Sequence, residues 1–152
     1  KLYKRAVELG NVLSMVNLGN LYAKGLGVKL DENKAMQLYR MAADKGNPLA
    51  LSKVAFPAMD AGDHETAFPL WKRAAEKGLN LAQYFLADAY ECGNGVEVDF
   101  NEARRWYARA ATGTDTDTGV VDYAKEKLKE MNEMFEAFDR IQAGRKERAG
   151  DA

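Results

Sequence analysis

Few side chains in this sequence could do chemistry on their own. There is one histidine, His64, and one cysteine, Cys92. A catalytic histidine needs a nucleophile and an orienting group, and the sequence places neither near His64, which follows Asp63 and reads as a first-turn surface residue. Cys92 sits in a Glu-Cys-Gly turn with no cationic neighbour to favour a thiolate, so it reads as a passive thiol. One histidine and one cysteine cannot build a Cys/His zinc site within a single chain, and one cysteine allows no internal disulfide. Asp115-Thr-Asp117-Thr-Gly119, with Glu126 at the twelfth position, has half the form of a calcium loop. Val120 stands where that loop needs its sharp-turn glycine, so the motif fails. Arg104, Arg105 and Arg109 flank Trp106 and Tyr107 and could hold a phosphate. They read instead as a solvated helix face whose aromatics turn to the core. The sequence therefore predicts no catalytic residue, no metal site, no cofactor and no enzyme.

Composition narrows the remaining classes. Lys plus Arg number 22 and Asp plus Glu 23, a net charge of −1. Without a bulk positive field, nucleic acid is not an expected partner. No apolar run approaches the roughly 18 residues of a membrane span, and no signal peptide is recognised in this stretch. The hydrophobic fraction of 47% beside 30% charged residues is that of a folded chain rather than a disordered one. The lone cysteine fits a reducing cytosol and a bacterial periplasm equally, so the compartment stays open.

What the chain does show is repetition. LYKRAVELGN from Leu2, LYRMAADKGN from Leu38, LWKRAAEKGL from Leu70 and WYARAATGTD from Trp106 are variants of one segment. Between them lie SMVNLGNLYAKGLGV from Ser14 and AQYFLADAYECGNGV from Ala82, with a degenerate copy, ALSKVAFPAMDAG, from Ala50. The columns Ser14/Ala50/Ala82, Leu18/Val54/Leu86 and Tyr22/Ala58/Tyr90 are spaced by four, which stacks them on one helix face. Ala35/Ala67/Ala103, Tyr39/Trp71/Tyr107 and Ala42/Ala74/Ala110 do the same on a second helix. Small residues there, and at Gly19/Ala55/Ala87, let two backbones approach while the aromatic fills the space beside them. A helix pair of this kind cannot bury its face alone, and stacking neighbours completes the core.

The punctuation agrees. Gly10, Gly46 and Gly78 are expected to end second helices. Asn47-Pro48 reads as an N-cap with proline at the first helical position. Asp31, Asp63 and Asp99 read as N-caps, Asp99 with Glu102 as a capping-box pair. Gly25–Val28 and Gly93–Val96 form the loops inside the first and third repeats, and the middle repeat lacks four residues there. Pro57 and Pro69 fall inside predicted helices and are expected to kink them.

Taken together, A-x-x-x-L-G-x-x-Y-x-x-G-x-G-V, then an Asp, then K-A-x-x-W/Y-Y-x-x-A-A-x-x-G, resembles the Sel-one-like repeat family, a branch of the tetratricopeptide-like helical repeats. Ala82 to Ala111 matches nearly every motif position. Ser14 to Gly46 differs mainly by Ser for the leading Ala, and the middle repeat departs most. The resemblance covers about residues 1 to 113, with Lys1 to Gly10 as the second helix of a preceding repeat, which suits a piece of a longer array. It implies an all-α, right-handed superhelical solenoid of antiparallel helix pairs, with repeats at about 12–46, 47–79 and 80–113. Residues 114–119 then read as a linker. Residues 120–148 read as a long amphipathic capping helix with a seam of Val121, Ala124, Leu128, Met131, Phe135 and Phe138.

In such superhelices the first helix of each pair lines the concave side. Positions beside the 14/18/22 columns are then expected to face inward: Val16 and Asn20, Ser52, Phe56 and Met59, and Tyr84, Asp88 and Glu91, with Leu13, Leu49 and Leu81 next to them. Phe56, Tyr84 and Met59 suit a peptide-binding groove. The expected function is a scaffold or adaptor that binds a protein or peptide segment there. Phe135, Phe138 and Ile141, at the far end of the last helix, are expected to overhang the array and to find a partner surface, either a second copy, as a homodimer, or the concave groove of this same chain. Two other readings compete. Cysteine-rich relatives have been linked to β-lactam chemistry, but they carry a cysteine pair per repeat and this chain has neither that nor a Ser-x-x-Lys motif. The other is a structural spacer that self-associates through the last helix.

Overall fold

A computed structural model describes residues 2–113 and 118–150. The described residues form eight helices: α1 Leu2–Glu8, α2 Val12–Lys24, α3 Glu32–Asp44, α4 Pro48–Asp60, α5 His64–Glu76, α6 Asn80–Cys92, α7 Phe100–Ala111 and α8 Thr118–Gly150. Each packs on the next along the chain, so α2/α3, α4/α5 and α6/α7 are the repeat pairs of an all-α solenoid. The linker expected at 114–119 is described only from Thr118, which already belongs to α8. The half calcium loop at Asp115 and Asp117 lies outside the described residues.

Helix ends fall where the caps put them. Asn11, Asp31, Asn47, Asp63 and Asp99 each accept a backbone N–H from the first turn that follows. Asp99 and Glu102 do not form a reciprocal box, because the Glu102 carboxylate pairs with Arg105 instead. Gly46 and Gly78 leave their helices at φ of 82° and 90°, a region open to glycine at little cost. Pro57 and Pro69 do not interrupt α4 or α5, each of which keeps 13 residues. Both prolines are exposed, as are Lys53 and Glu65. The carbonyls freed four residues upstream can therefore turn to water.

The core is a column of alanines and aromatics. Ala42, Ala74 and Ala110 are completely buried, and Tyr39, Trp71 and Tyr107 are buried beside them. A second buried column, Met15/Leu51/Gln83, faces the preceding second helix: the Gln83 Nε2 donates to the Ala75 carbonyl at the end of α5. The Arg73 guanidinium donates likewise to the Ala43 carbonyl at the end of α3. Asn80 is buried at the start of α6, and its Nδ2 donates to the Ala110 carbonyl at the end of α7. In each of α3, α5 and α7 a carbonyl of the last turn thus accepts a side chain from elsewhere in the array, and those of Ala43 and Ala75 also accept the Gly46 and Gly78 backbone N–H.

α8 lies across the end of the array against α7 and, less extensively, α6. Ala124 and Met131 are buried there, Leu128 packs on the core, and Phe135 is half-buried under the Arg104 guanidinium, 4.4 Å from its ring. The seam then leaves the array: Phe138 and Ile141 are each 56% exposed. Phe135, expected on the overhang, is the last residue of the docked part.

Candidate functional site

The expected binding face is carried by α2, α4 and α6, and the repeat columns fix what each residue does. Val16 and Ser52 occupy one column and are only 3% and 4% exposed, so neither is available to a partner. Val16 belongs to the core cluster, and the Ser52 hydroxyl donates to the Pro48 carbonyl one turn back. The pattern of alternation put them on a face, but stacking of neighbouring repeats closes that column. Leu13 and Leu49, one column over, are exposed.

Asn20, Phe56 and Asp88 form the next column, and all three are half-buried. The Asn20 side chain accepts the Tyr39 hydroxyl at 2.8 Å, across Gly19, whose missing Cβ would sit 2.6 Å from the Tyr39 ring. Phe56 stands edge-on to Trp71 with ring centres 4.9 Å apart and edge-on to Phe85 at 5.3 Å. Phe85 stacks on Trp71 at 4.7 Å and meets Tyr84 at 5.6 Å, and Tyr84 meets Tyr107 at 5.6 Å. These rings form a continuous ladder that joins the second repeat to the third, in the edge and offset geometries that ring quadrupoles favour. Phe56 therefore works mainly between repeats. Met59 borders a small space of about 20 Å³ beside Trp71, together with Asp88 and His64. Trp71 lines this space, and its Nε1 is buried with no hydrogen-bond partner. A space of that size suits a single water.

The charged end of the face is tied to α8. The Glu91 carboxylate accepts the Tyr107 hydroxyl at 2.7 Å through one oxygen and the Lys127 Nζ at 3.3 Å through the other. Burial, and then the bond to Glu91, pushes the Tyr107 hydroxyl far above the usual phenol range. Burial pulls the Lys127 ammonium down, but the bond to Glu91 and the surrounding negative charge outweigh it and hold it protonated. Burial first, then the neighbouring Glu91 charge, raises the Asp88 carboxyl. Burial and the same two carboxylates raise the Cys92 thiol, the opposite of what a reactive cysteine needs.

Of the residues expected on the concave face, Tyr84, next to Leu81, borders a cleft of useful size. With Leu81, Phe85, Val120 and Tyr123 it lines an apolar opening of about 290 Å³ between α6 and the start of α8. Phe85, Val120 and Tyr123 were not legible as site residues. Phe85 falls outside the repeat columns, and the two α8 residues reach the face only because α8 docks where a fourth first helix would lie. The basic cluster is spent on packing: Arg109 lies over Trp106 at 4.6 Å, Arg104 over Phe135, and Arg105 on Glu102. Among the described residues no group of His, Cys, Asp and Glu could hold a metal ion, and no helix is long and apolar enough to cross a membrane.

Residues 12–47, 59–79 and 80–115 match the family model of the Sel1 repeat, which is more than half of the chain. The chain belongs to the Sel1 repeat family. Repeats of this family mediate protein–protein interaction. The unmatched stretch falls on most of α4, where Ala58 stands in the tyrosine column. The chain is similar to the chitin synthase regulator SKT5 of Saccharomyces cerevisiae, 34% identical over 123 residues, which is 76% of this chain and 18% of that protein. It is also similar to the ERAD-associated E3 ubiquitin-protein ligase component HRD3A of Arabidopsis thaliana, 33% identical over 99 residues, 55% of this chain and 15% of that one. The chain spans a fifth or less of such curated relatives. Among solved structures it resembles a Sel1 repeat protein from Oxalobacter formigenes with a TM-score of 0.75 and 31% identity, over 84% of this chain and 95% of that one.

Proposed function

We infer that this Sel1 array is a scaffold that holds a peptide or protein segment on the face built by α2, α4 and α6, with no catalytic role. The observation that carries the reading is the apolar cleft lined by Leu81, Tyr84, Phe85, Val120 and Tyr123. Such a notch accepts one large apolar side chain of an extended segment, while Asp88 beside it offers a hydrogen-bonding group. Leu13 and Leu49, exposed in the Leu81 column, continue the apolar track along the array. The similarity to a chitin synthase regulator and to a ligase component supports an adaptor role of this general kind. Asn20, Phe56, Met59 and Glu91 shape the face through their contacts within the array.

Affinity capture from the native source, followed by Tyr84→Ala and Leu81→Asp, tests the reading. A partner lost with both variants, while thermal unfolding stays cooperative, is the expected result. Retention of every partner by both variants moves the binding surface elsewhere. Turnover of β-lactam or glycan substrates by the purified protein would instead favour an enzyme.

A further inference from the structure

We propose that the free end of α8 pairs antiparallel with α8 of a second copy of this chain, about a two-fold axis between Asp139 and Arg140. Beyond Phe135 the helix carries a second seam, Met134, Phe138, Ile141 and Arg145, spaced four, three and four. That is the spacing of a helix-pairing stripe. Met134, Phe138 and Ile141 are exposed. Beside them Val98, Phe100 and Phe135 complete an apolar groove of about 460 Å³ that the chain leaves open.

Charge names the occupant and its direction. From Glu130 to Asp139 every charged residue is acidic, and from Arg140 to Arg148 four of five are basic. Among the described residues no ion pair within the chain engages Glu133, Glu136, Asp139, Arg145, Lys146 or Arg148. A parallel partner would set acid on acid. An antiparallel one, in the register set by that axis, lays the acidic stretch of each copy along the basic stretch of the other, which is the complementary arrangement. The same register puts Phe138 opposite Ile141 and Met134 opposite the aliphatic stem of Arg145. It also brings Gly144 beside Ala137 of the second copy. A glycine inside an exposed helix weakens it, and a Cβ at Gly144 would meet nothing within 4 Å in the single chain. Against a second helix the missing side chain allows close approach. The overlapping segment, residues 131–148, is about 27 Å long at 1.5 Å per residue.

Sedimentation equilibrium and cysteine cross-linking in a Cys92→Ser background test this. The wild type is expected to dimerise reversibly in the micromolar to millimolar range, more weakly at high salt. Phe138→Asp/Ile141→Asp should be monomeric with an unchanged unfolding midpoint, since both side chains are exposed in the single chain. Met134→Cys and Arg145→Cys chains should cross-link to each other when mixed and not to themselves. A wild type that stays monomeric at millimolar concentration overturns the proposal, as does a dimer that survives the double aspartate variant. Self-cross-linking of Met134→Cys would establish a parallel pair and overturn the orientation.

Discussion

Tyr107 donates its hydroxyl proton to the Glu91 carboxylate across 2.7 Å, and through the second oxygen of that carboxylate Lys127 brings α8 to the same point. Three helices thus meet on one side chain. Glu91→Ala strands a buried phenol and leaves Lys127 without that partner, at an expected cost of about 1–3 kcal/mol. Glu91→Gln keeps an acceptor for Tyr107 and should lose less. Urea denaturation of the two variants checks this, and an unchanged midpoint in Glu91→Ala would show that the carboxylate is idle.

Asp88 predicts a pH dependence. Burial and Glu91 raise its carboxyl above the ordinary value, so between the unfolded and folded pKa values the native state holds the proton more tightly. Its contribution to stability therefore falls as pH rises through that window, and levels off once both states are ionised. Asp88→Asn should remove this decline and be more stable than the wild type at pH 7. Urea midpoints from pH 4 to pH 7 for both proteins decide it; parallel curves would count against it.

Trp71 is 2% exposed and sits at the centre of the aromatic ladder. Trp71→Ala should cost about 3–5 kcal/mol through the cavity it leaves. Because its Nε1 has no hydrogen-bond partner, Trp71→Phe should be much milder, losing packing but no bond. Thermal unfolding of the pair makes the comparison.

Phe135 and Phe138 differ by one helical turn and should differ in consequence. Phe135→Ala removes a half-buried ring and the cation–π contact with Arg104. It should destabilise the chain by about 1–3 kcal/mol. Phe138→Ala should leave the unfolding midpoint at low protein concentration unchanged. Equal losses in both would mean that α8 docks further along than described.

Gly27 and Gly95 hold the same place in the first and third repeats, with φ of 69° and 74°. A Cβ at Gly27 meets nothing within 4 Å, whereas at Gly95 it would stand 2.2 Å from the His64 carbonyl oxygen. Gly27→Ala should therefore cost only the left-handed strain, about 1–2 kcal/mol. Gly95→Ala should cost more, since the loop must also pull away from α5. Chemical denaturation of the two variants tests the inequality.

The fold was legible because helix caps and alanine–aromatic columns act locally and recur in register. Asp31, Asn47, Asp63 and Asp99 mark starts, and Gly46 and Gly78 mark ends, whatever the neighbours do. The binding face was less legible because its exposure depends on what the next repeat covers. Val16 and Ser52 read as surface by spacing and are closed by stacking. Tyr84 stays half-buried beside a cleft only because α8 supplies Val120 and Tyr123. No repeat column contains either residue. That α4 and α5 run on through Pro57 and Pro69 was hard to read for the opposite reason: the cost of each proline depends on whether the freed carbonyl meets water, which periodicity does not encode.

The donors that finish the second helices set limits on where this array can be cut. Ala43 at the end of α3 is served by Arg73, and Ala75 at the end of α5 by Gln83, each from the following repeat. A single repeat excised after Gly46 or Gly78 would carry away a helix whose last turn keeps the glycine N–H but has lost its side-chain donor. The exchangeable unit, for recombination between arrays or for grafting into another scaffold, is therefore longer than the 32- or 36-residue period. It must carry the donor helix of its neighbour with it, or bring a substitute arginine or glutamine of its own.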